Sequence, residues 1–259
     1  MSTLANAMQV LRLIVRLRRD ITVSDVAEHL EMPKSSASRT LSQMRTYGFL
    51  ERDPVSRAYR PGQLVLEASY HFRSSQDALA LLQAQVDRLV AETGYTTYVD
   101  LRDGSDSLVM HMRIGSGSLQ VYTPPGSRLP LHASSVGRAI LARLDDDDIR
   151  QMYGPSRTAT NQRRDLGAPP LQDILEHVAK IRARGWSLSR GELISNVAGI
   201  STAVIDPATG QVFGISVALP AQELDAGRID RFSRLLLDTT RQVGRQIGDP
   251  YWLDNAAPV

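Results

Sequence analysis

The sequence predicts an α+β protein in two parts: an N-terminal winged helix-turn-helix and, beyond a linker helix, an antiparallel sheet bracketed by helices. Three observations carry this. From Thr22 to Arg52 two short helical patterns meet at a tight turn and run into a hairpin. Two later stretches, Tyr95–Ile114 and Ile200–Leu219, alternate with period two, as paired strands do. Helical spacing flanks both, and turns join the strands, a pattern of α+β architecture and not of a βαβ dinucleotide fold.

The first helix spans Leu4–Arg18, with Leu4, Met8, Leu11, Ile14 and Val15 as its stripe. Four arginines and no acid through Arg19 also suit a mitochondrial transit peptide. A helix packed on its successor explains the stripe better, and Arg12 and Arg16 interrupt any secretory apolar core. Thr22 and Asp25 have capping-box spacing, with Asp in the Glu position. Val23, Val26, Ala27 and Leu30 then give the second helix one buried face.

The third helix starts at Pro33, where a missing N–H costs nothing. Ala37, Leu41, Met44 and Tyr47 mark its inner face, and Gly48 its stop. At about 100° per residue, Ser35, Arg39 and Ser42 point away from that face, flanked by Lys34, Ser36 and Ser38. Short hydrogen-bonding side chains and a cation at a helix start suit close approach to a DNA major groove, although simple solvation explains such a face equally well. The hairpin tips the balance. Phe49–Arg52 and Arg57–Arg60 flank the turn Asp53-Pro54-Val55-Ser56, making a wing whose Arg52, Arg57 and Arg60 reach the neighbouring backbone or minor groove.

Charge is distributed accordingly. Residues 1–62 hold ten Lys and Arg against six Asp and Glu, net +4, while the rest of the 259-residue chain is net −2. The first part favours a polyanion and the remainder does not. With no cysteine, disulfide and thiolate chemistry are excluded and a reducing cytoplasm fits. Five scattered histidines without paired ligand spacing predict no metal and no cofactor. The longest apolar run, around Val197–Ile205, is too short to span a bilayer.

Beyond the wing, Gln63–Gln76 reads as a linker helix carrying Val65, Ala68 and Phe72, with Ser74-Ser75-Gln76 as a polar break. A second domain opens near Asp77 with a helix of Leu79, Leu82, Val86, Leu89 and Val90, ended by Thr93-Gly94. Strands follow at Tyr95–Arg102 and Leu108–Ile114 around Asp103-Gly104, with a third at Leu119–Tyr122. After the Pro/Gly-rich loop Thr123–Leu131 come a helix over Ser135–Leu144 and an acidic run, Asp145–Asp148, that suits a helix N-terminus or a plain solvated turn. Gln151–Pro170 is irregular, and Leu171–Arg184 is helical. Ile200–Asp206 and Gln211–Leu219 form a late hairpin, and Asp225–Gly248 closes the chain as a long helix.

In the last strand Phe213, Ile215, Val217 and Leu219 fill one face, whereas Gly214, Ser216 and Ala218 leave the other nearly bare. Either a closely packed helix or a ligand anchored on Ser216 lies there. Ser134-Ser135 reads as an N-cap or as an anion-friendly helix start. Ile114-Gly115-Ser116-Gly117 lacks the third glycine and the helix of a phosphate loop, and no G-x-S-x-G elbow is present. His132 reads as structural, and His111 has no partner signal.

Taken together, TVSDVAEHLEMPKSSASRTLSQMRTYGFLER, GSRLPLHASSVGRAIL (Gly126–Leu141), RARGWSLSRGE (Arg182–Glu192) and VFGISVALP (Val212–Pro220) resemble an IclR-type transcriptional regulator. The likeness runs from about Leu4 to Gly248. Pro130-Leu131-His132-Ala133, followed by Gly137 and Ala139, is its most specific part.

The resemblance implies a winged helix-turn-helix joined by a helix to a GAF-like effector-binding domain. It divides the chain into residues 1–62, 63–76, 77–250 and a tail at 251–259. It also implies homodimers, often dimers of dimers, on double-stranded operator DNA, tuned by small metabolites, often organic or aromatic acids. For DNA the residues are Lys34, Ser35, Ser36, Ser38 and Arg39, with Arg57 and Tyr59 on the wing. Positions matching family effector contacts are Val121, Ser135, Val136, Ser189, Glu192, Val197, Gly199, Ser216 and Ala218.

The chain departs from the family pattern at three places. Gly137-Arg138-Ala139 replaces Gly-Lys-Ala. Gly199 stands where a cysteine is common, so a contact is lost or the pocket enlarged. Ser189 stands where an acid is common. Glu192 accepts from a ligand or pairs with Arg190. The rival reading is a small-molecule-binding enzyme or sensor with an incidental N-terminal helical domain. It predicts turnover and negligible, salt-insensitive DNA association.

Overall fold

The computed structural model describes residues 3–74, 77–117, 121–154 and 167–254, apart from the side chains at 69–74, 77 and 254. The chain divides into two compact units, Met1–Ser75 and Gln76–Val259. The first contains α1 (Thr3–Leu17), α2 (Val23–His29), α3 (Lys34–Thr46), the strands β1 (Leu50–Arg52) and β2 (Tyr59–Pro61), and α4 (Gln63–Ser74). The capping box forms as spaced. Thr22 Oγ1 accepts from Asp25 N at 3.2 Å, and Asp25 Oδ2 accepts from Thr22 N at 2.8 Å. Arg19 adds a two-pronged contact to the same carboxylate, at 2.7 and 3.0 Å.

The core of this unit joins Val10, Leu13 and Ile14 of α1 to Val26, Ala37, Leu41, Met44, Leu50 and Tyr59. The face of α1 is thus turned from the expected one: Ile14 is buried as expected, but Leu4, Met8 and Val15 are exposed and Val10 and Leu13 are buried instead. Apolar residues surround most of α1, so periodicity alone did not select its packed side. On α3, Thr40 joins the inner face, and Tyr47 is exposed because the helix ends at Thr46 and Tyr47 is its C-cap. Residues Phe72, Ser75 and Gln76 of the expected linker lie outside the described side chains or residues.

The second unit begins with α5 (Asp77–Thr93) and builds a six-stranded antiparallel sheet. Its strands are β3 (Thr96–Asp103), β4 (Asp106–Arg113), β5 (Arg128–Pro130), β6 (Ser187–Arg190), β7 (Val197–Asp206) and β8 (Gln211–Pro220), in the order β5-β4-β3-β8-β7-β6. α5 and the long α9 (Ala226–Ile247) cover one face, where Phe213, Ile215, Val217 and Leu219 are fully buried. Each such burial stabilises by about 1.5–3 kcal/mol. α6 (Ser135–Leu141), α7 (Asp146–Tyr153) and α8 (Leu171–Arg184) form a second core with Ala203 and Val212.

Several elements differ from expectation. The proposed third strand falls across residues 118–120, outside the described residues, and Val121 and Tyr122 are not strand. The Pro/Gly-rich loop instead yields the edge strand β5, pairing Pro130 with Asp106. β6 was not expected. α6 is shorter than expected, and the acidic run opens α7 as an N-terminal turn. Of the stretch expected to be irregular, Gln151–Tyr153 instead complete α7, and residues 155–166 lie outside the described residues.

α9 is capped by Asp225, whose Oδ1 accepts from Arg228 N at 2.7 Å, and ends on left-handed Gly248. Part of the expected tail is α10 (Pro250–Asp254), whose buried Trp252 fits a slot in α9. A Cβ on Gly244 would stand 2.4 Å from the indole. Among the described residues no helix is long and apolar enough to cross a membrane.

Candidate nucleic-acid interface and ligand cavity

α3 begins at Lys34, one residue after the expected start, with Pro33 at the N-cap position. Proline has no side-chain acceptor, so no side chain caps the first turn of α3. Lys34, Ser35, Ser36, Ser38 and Arg39 are all exposed. Among the described residues neither Lys34 nor Arg39 joins an ion pair. Uncapped N–H groups, three hydroxyls and two cations on one ridge form an arrangement suited to phosphate and base edges.

The wing turn is built by Asp53. Its Oδ1 accepts from Val55 N at 3.0 Å, Ser56 N at 2.7 Å and Ser56 Oγ at 2.9 Å. These bonds hold the Asp53 carboxyl below its ordinary pKa. Arg57 is exposed and left-handed, at φ 61°. Arg60 pairs with Glu51 at 3.3 Å.

Tyr59 departs from its expected place. It is only 4% exposed and packs in the core, with Arg52 5.4 Å above its ring. Strand alternation puts Leu50 and Tyr59 inward and the flanking charges outward, so Tyr59 anchors the wing and has no free edge for a groove.

In the second unit the sheet carries a lane of small side chains under α6. Across β6, β7 and β8 the registers align Ser189, Gly199 and Ala218, then Ser187, Ser201 and Ser216, then Ala203 and Gly214. β3 continues these rows with Tyr98 opposite Ser216 and Asp100 opposite Gly214. The bare face therefore meets a packed helix over part of its length and open space over the rest. At Gly214 it is a helix: a Cβ there would stand 2.4 Å from Val136 Cγ2. Beyond it, over Ser216 and Ala218, lies a cavity with about 560 Å³ of atom-free space, its open mouth included.

Eight of the nine expected ligand residues line this cavity: Val121, Ser135, Val136, Ser189, Val197, Gly199, Ser216 and Ala218. Glu192 does not. Its Oε2 accepts from Arg138 Nη2 at 2.9 Å and Arg190 N at 3.1 Å, while Arg138 also donates to Leu188 O at 2.8 Å. The cation that replaces the family's lysine thus ties down the segment bearing Leu193 and Ile194, which line the cavity.

Gly199 lines the cavity, and of its two alternatives the geometry fits a lost side-chain contact better than an enlarged space, because Ser135 of α6 takes up the room beside it. A Cβ there would stand 2.4 Å from Ser135 Oγ, which accepts from Ser201 Oγ at 2.8 Å. Ser134 is an N-cap, its Oγ accepting from Gly137 N at 2.9 Å.

Sequence reading missed Tyr98, Asp100, Val109, Thr123 and Leu129 on the opposite wall. One signal was present: an aspartate in mid-strand, where that residue is disfavoured. Tyr98 OH donates to Val121 O at 2.5 Å. Asp100 is 1% exposed, and Ser107 Oγ donates to its Oδ2 at 2.9 Å. Burial pushes its pKa up to about 7, against the lowering effect of that bond. Among the described residues no Lys, Arg or His lines the cavity.

Comparison with known proteins adds the family. Residues 71–245 match the bacterial transcriptional regulator IclR C-terminal domain, and residues 3–54 match the IclR helix-turn-helix domain. The chain is 25% identical over 240 residues to the HTH-type transcriptional regulator BhcR of Paracoccus denitrificans, covering 93% of this chain and 85% of that one. It is 24% identical over 227 residues to the HTH-type transcriptional repressor AllR of Escherichia coli, covering 88% and 83%. An IclR homologue from Microbacterium hydrocarbonoxydans, solved with 4-hydroxybenzoate, superposes with a TM-score of 0.77 at 19% identity, covering 95% and 99%. Thermotoga maritima IclR gives 0.71 at 22%, covering 95% and 98%.

Proposed function

The chain belongs to the IclR family of bacterial transcriptional regulators, and from that premise we propose how its parts divide the work. Residues 1–62 bind operator DNA, 63–76 link, 77–250 take the effector, and 251–259 follow as a C-terminal segment. The protein is a ligand-responsive regulator and not an enzyme. One observation carries the DNA assignment: the exposed, uncapped start of α3 beside a basic hairpin, within the matched helix-turn-helix.

Lys34, Ser35, Ser36, Ser38 and Arg39 read or position the major groove, and Arg57 reaches the backbone from the wing that Tyr59 anchors. A homodimer sets two recognition helices about 34 Å apart on a pseudo-palindrome, and dimers pair on longer operators in the cytoplasm. The effector, a small organic or aromatic acid, lies against the small-residue lane of the sheet, with Glu192 acting indirectly through Arg138. The homologue solved with 4-hydroxybenzoate supports that ligand class. Effector binding shifts the balance of arrangements through the linker by as much as it prefers one of them.

The test is fluorescence anisotropy of the full chain with DNA from upstream of its own operon. If each dimer neutralises about 6–8 phosphates, log K falls with log salt at a slope of about −5 to −7. Arg39→Ala weakens specific binding by about 1–3 kcal/mol and leaves the fold intact. Unchanged operator affinity in that variant refutes the assignment.

A further inference from the structure

Among the described residues the cavity is lined by one acid and no base, a problem for any anionic ligand. Asp100 lines it from β3, opposite Gly214 on β8, over which Val136 of α6 packs. Its Oδ2 is held by Ser107, and among the described residues Oδ1 has no hydrogen-bond partner. The other groups around it are uncharged. Val109 faces it from β4, Val136 and Ile140 overlie Gly214 from α6, and Tyr98 shares its face on β3. Arg102, two residues along β3, donates to Gly104 O at 3.4 Å, and Arg138 is engaged by Leu188 and Glu192.

A carboxylate entering this space meets another carboxylate in a poorly screened interior. Like charges so placed do not both stay ionised. We propose that Asp100 is the specificity-determining residue of the cavity and admits an organic acid only together with a proton, held between the effector's carboxylate and its own. The proton comes from water. Asp100 Oδ1–H donates to an effector oxygen, the Ser189 and Ser216 hydroxyls supply further donors, and no bond of the effector breaks.

Burial independently favours the neutral carboxyl, with the pKa pushed up to about 7. The group is therefore half-protonated near neutrality and costs little to protonate. The result is a regulator more responsive to the same acid at lower pH. This rests on the effector reading of the cavity and goes further by assigning the charge state that the cavity accepts.

The experiment is isothermal titration calorimetry on the full chain, with a panel of one- to ten-carbon carboxylic acids, including 4-hydroxybenzoate, and each acid's primary amide. Above about pH 7, Kd for an acid rises about tenfold per pH unit, and at about pH 8 close to one proton is taken up per acid bound, read from buffers of different ionisation enthalpy. The amides bind without pH dependence. Asp100→Asn keeps acid binding and loses both the pH slope and the proton uptake.

An acid that binds with flat Kd and no proton uptake overturns the proposal and leaves the cavity reading standing. Amides that bind where no acid does overturn it in the same way. Acid binding that survives filling the cavity by Ala218→Leu overturns the cavity reading itself, as does a panel in which nothing binds. The proton count is read on the unsubstituted protein, so the test does not depend on the variant folding.

Discussion

Replacing Gly137 by alanine sets two effects of opposite sign against each other. In an exposed helix the change stabilises by about 1 kcal/mol, since glycine is the poorer helix former. Here a Cβ would stand 2.3 Å from Leu131 O, 2.4 Å from Leu131 Cα and 2.7 Å from Leu131 C. Ordinary contact needs about 3.5 Å, so the loop and α6 must part by about 1 Å.

Leu131 cannot retreat easily. Its side chain is fully buried, and its N–H donates to Ser105 O at 3.0 Å. Overpacking against such a neighbour costs about 3 kcal/mol or more, leaving a net loss of about 2 kcal/mol. Both tryptophans, Trp186 and Trp252, lie in the second unit. Tryptophan fluorescence in urea therefore follows that unit alone, and the midpoint drops with the slope unchanged. The same displacement moves Ser134–Val136 off the cavity wall, so effector affinity falls as well. An alanine variant as stable as the parent, or more stable, refutes the argument, because helix propensity alone would then have decided the outcome.

Two further perturbations test the packing around both sites. Asp249 is fully buried; its carboxylate accepts from Arg143 Nη2 at 2.6 Å and Ile205 N at 2.8 Å. Asp249→Ala leaves a largely buried guanidinium unpaired and lowers stability by about 3–5 kcal/mol in the same urea experiment; a loss below about 1 kcal/mol refutes the role. In the first unit, Arg19 and then the Thr22 N–H hold the Asp25 carboxyl well below the usual carboxylate range. A depressed folded value contributes stability above the unfolded pKa of about 3.9, and that contribution is lost as pH falls through the folded value. Thermal melts of the parent and Asp25→Asn therefore differ near pH 7 and converge at strongly acid pH; a gap that persists in acid contradicts the linkage.

Features set by neighbours within a few residues were legible in the chain. The capping box at Thr22 and Asp25, the turn built on Asp53 and the Asp225 cap depend on hydrogen bonds spanning at most three residues, and the acidic start of α7 on charge at a helix end. The alternation of β8 likewise showed that its two faces pack differently. Errors arose where a pattern allowed several partners. α1 is apolar on most sides, and Tyr59 looked available until the hairpin register turned it inward.

The residues alone therefore determined a winged helix-turn-helix followed by an antiparallel α+β unit, because caps, turns and period-two alternation are local physics. Only the tertiary structure decided which groups share the cavity. β6 becomes a strand by pairing with β7, and Asp100, opposite Gly214, becomes a cavity wall. Asp100 and Gly214 stand more than a hundred residues apart in the chain, so side-chain volume and burial, and not sequence spacing, set what lies beside what.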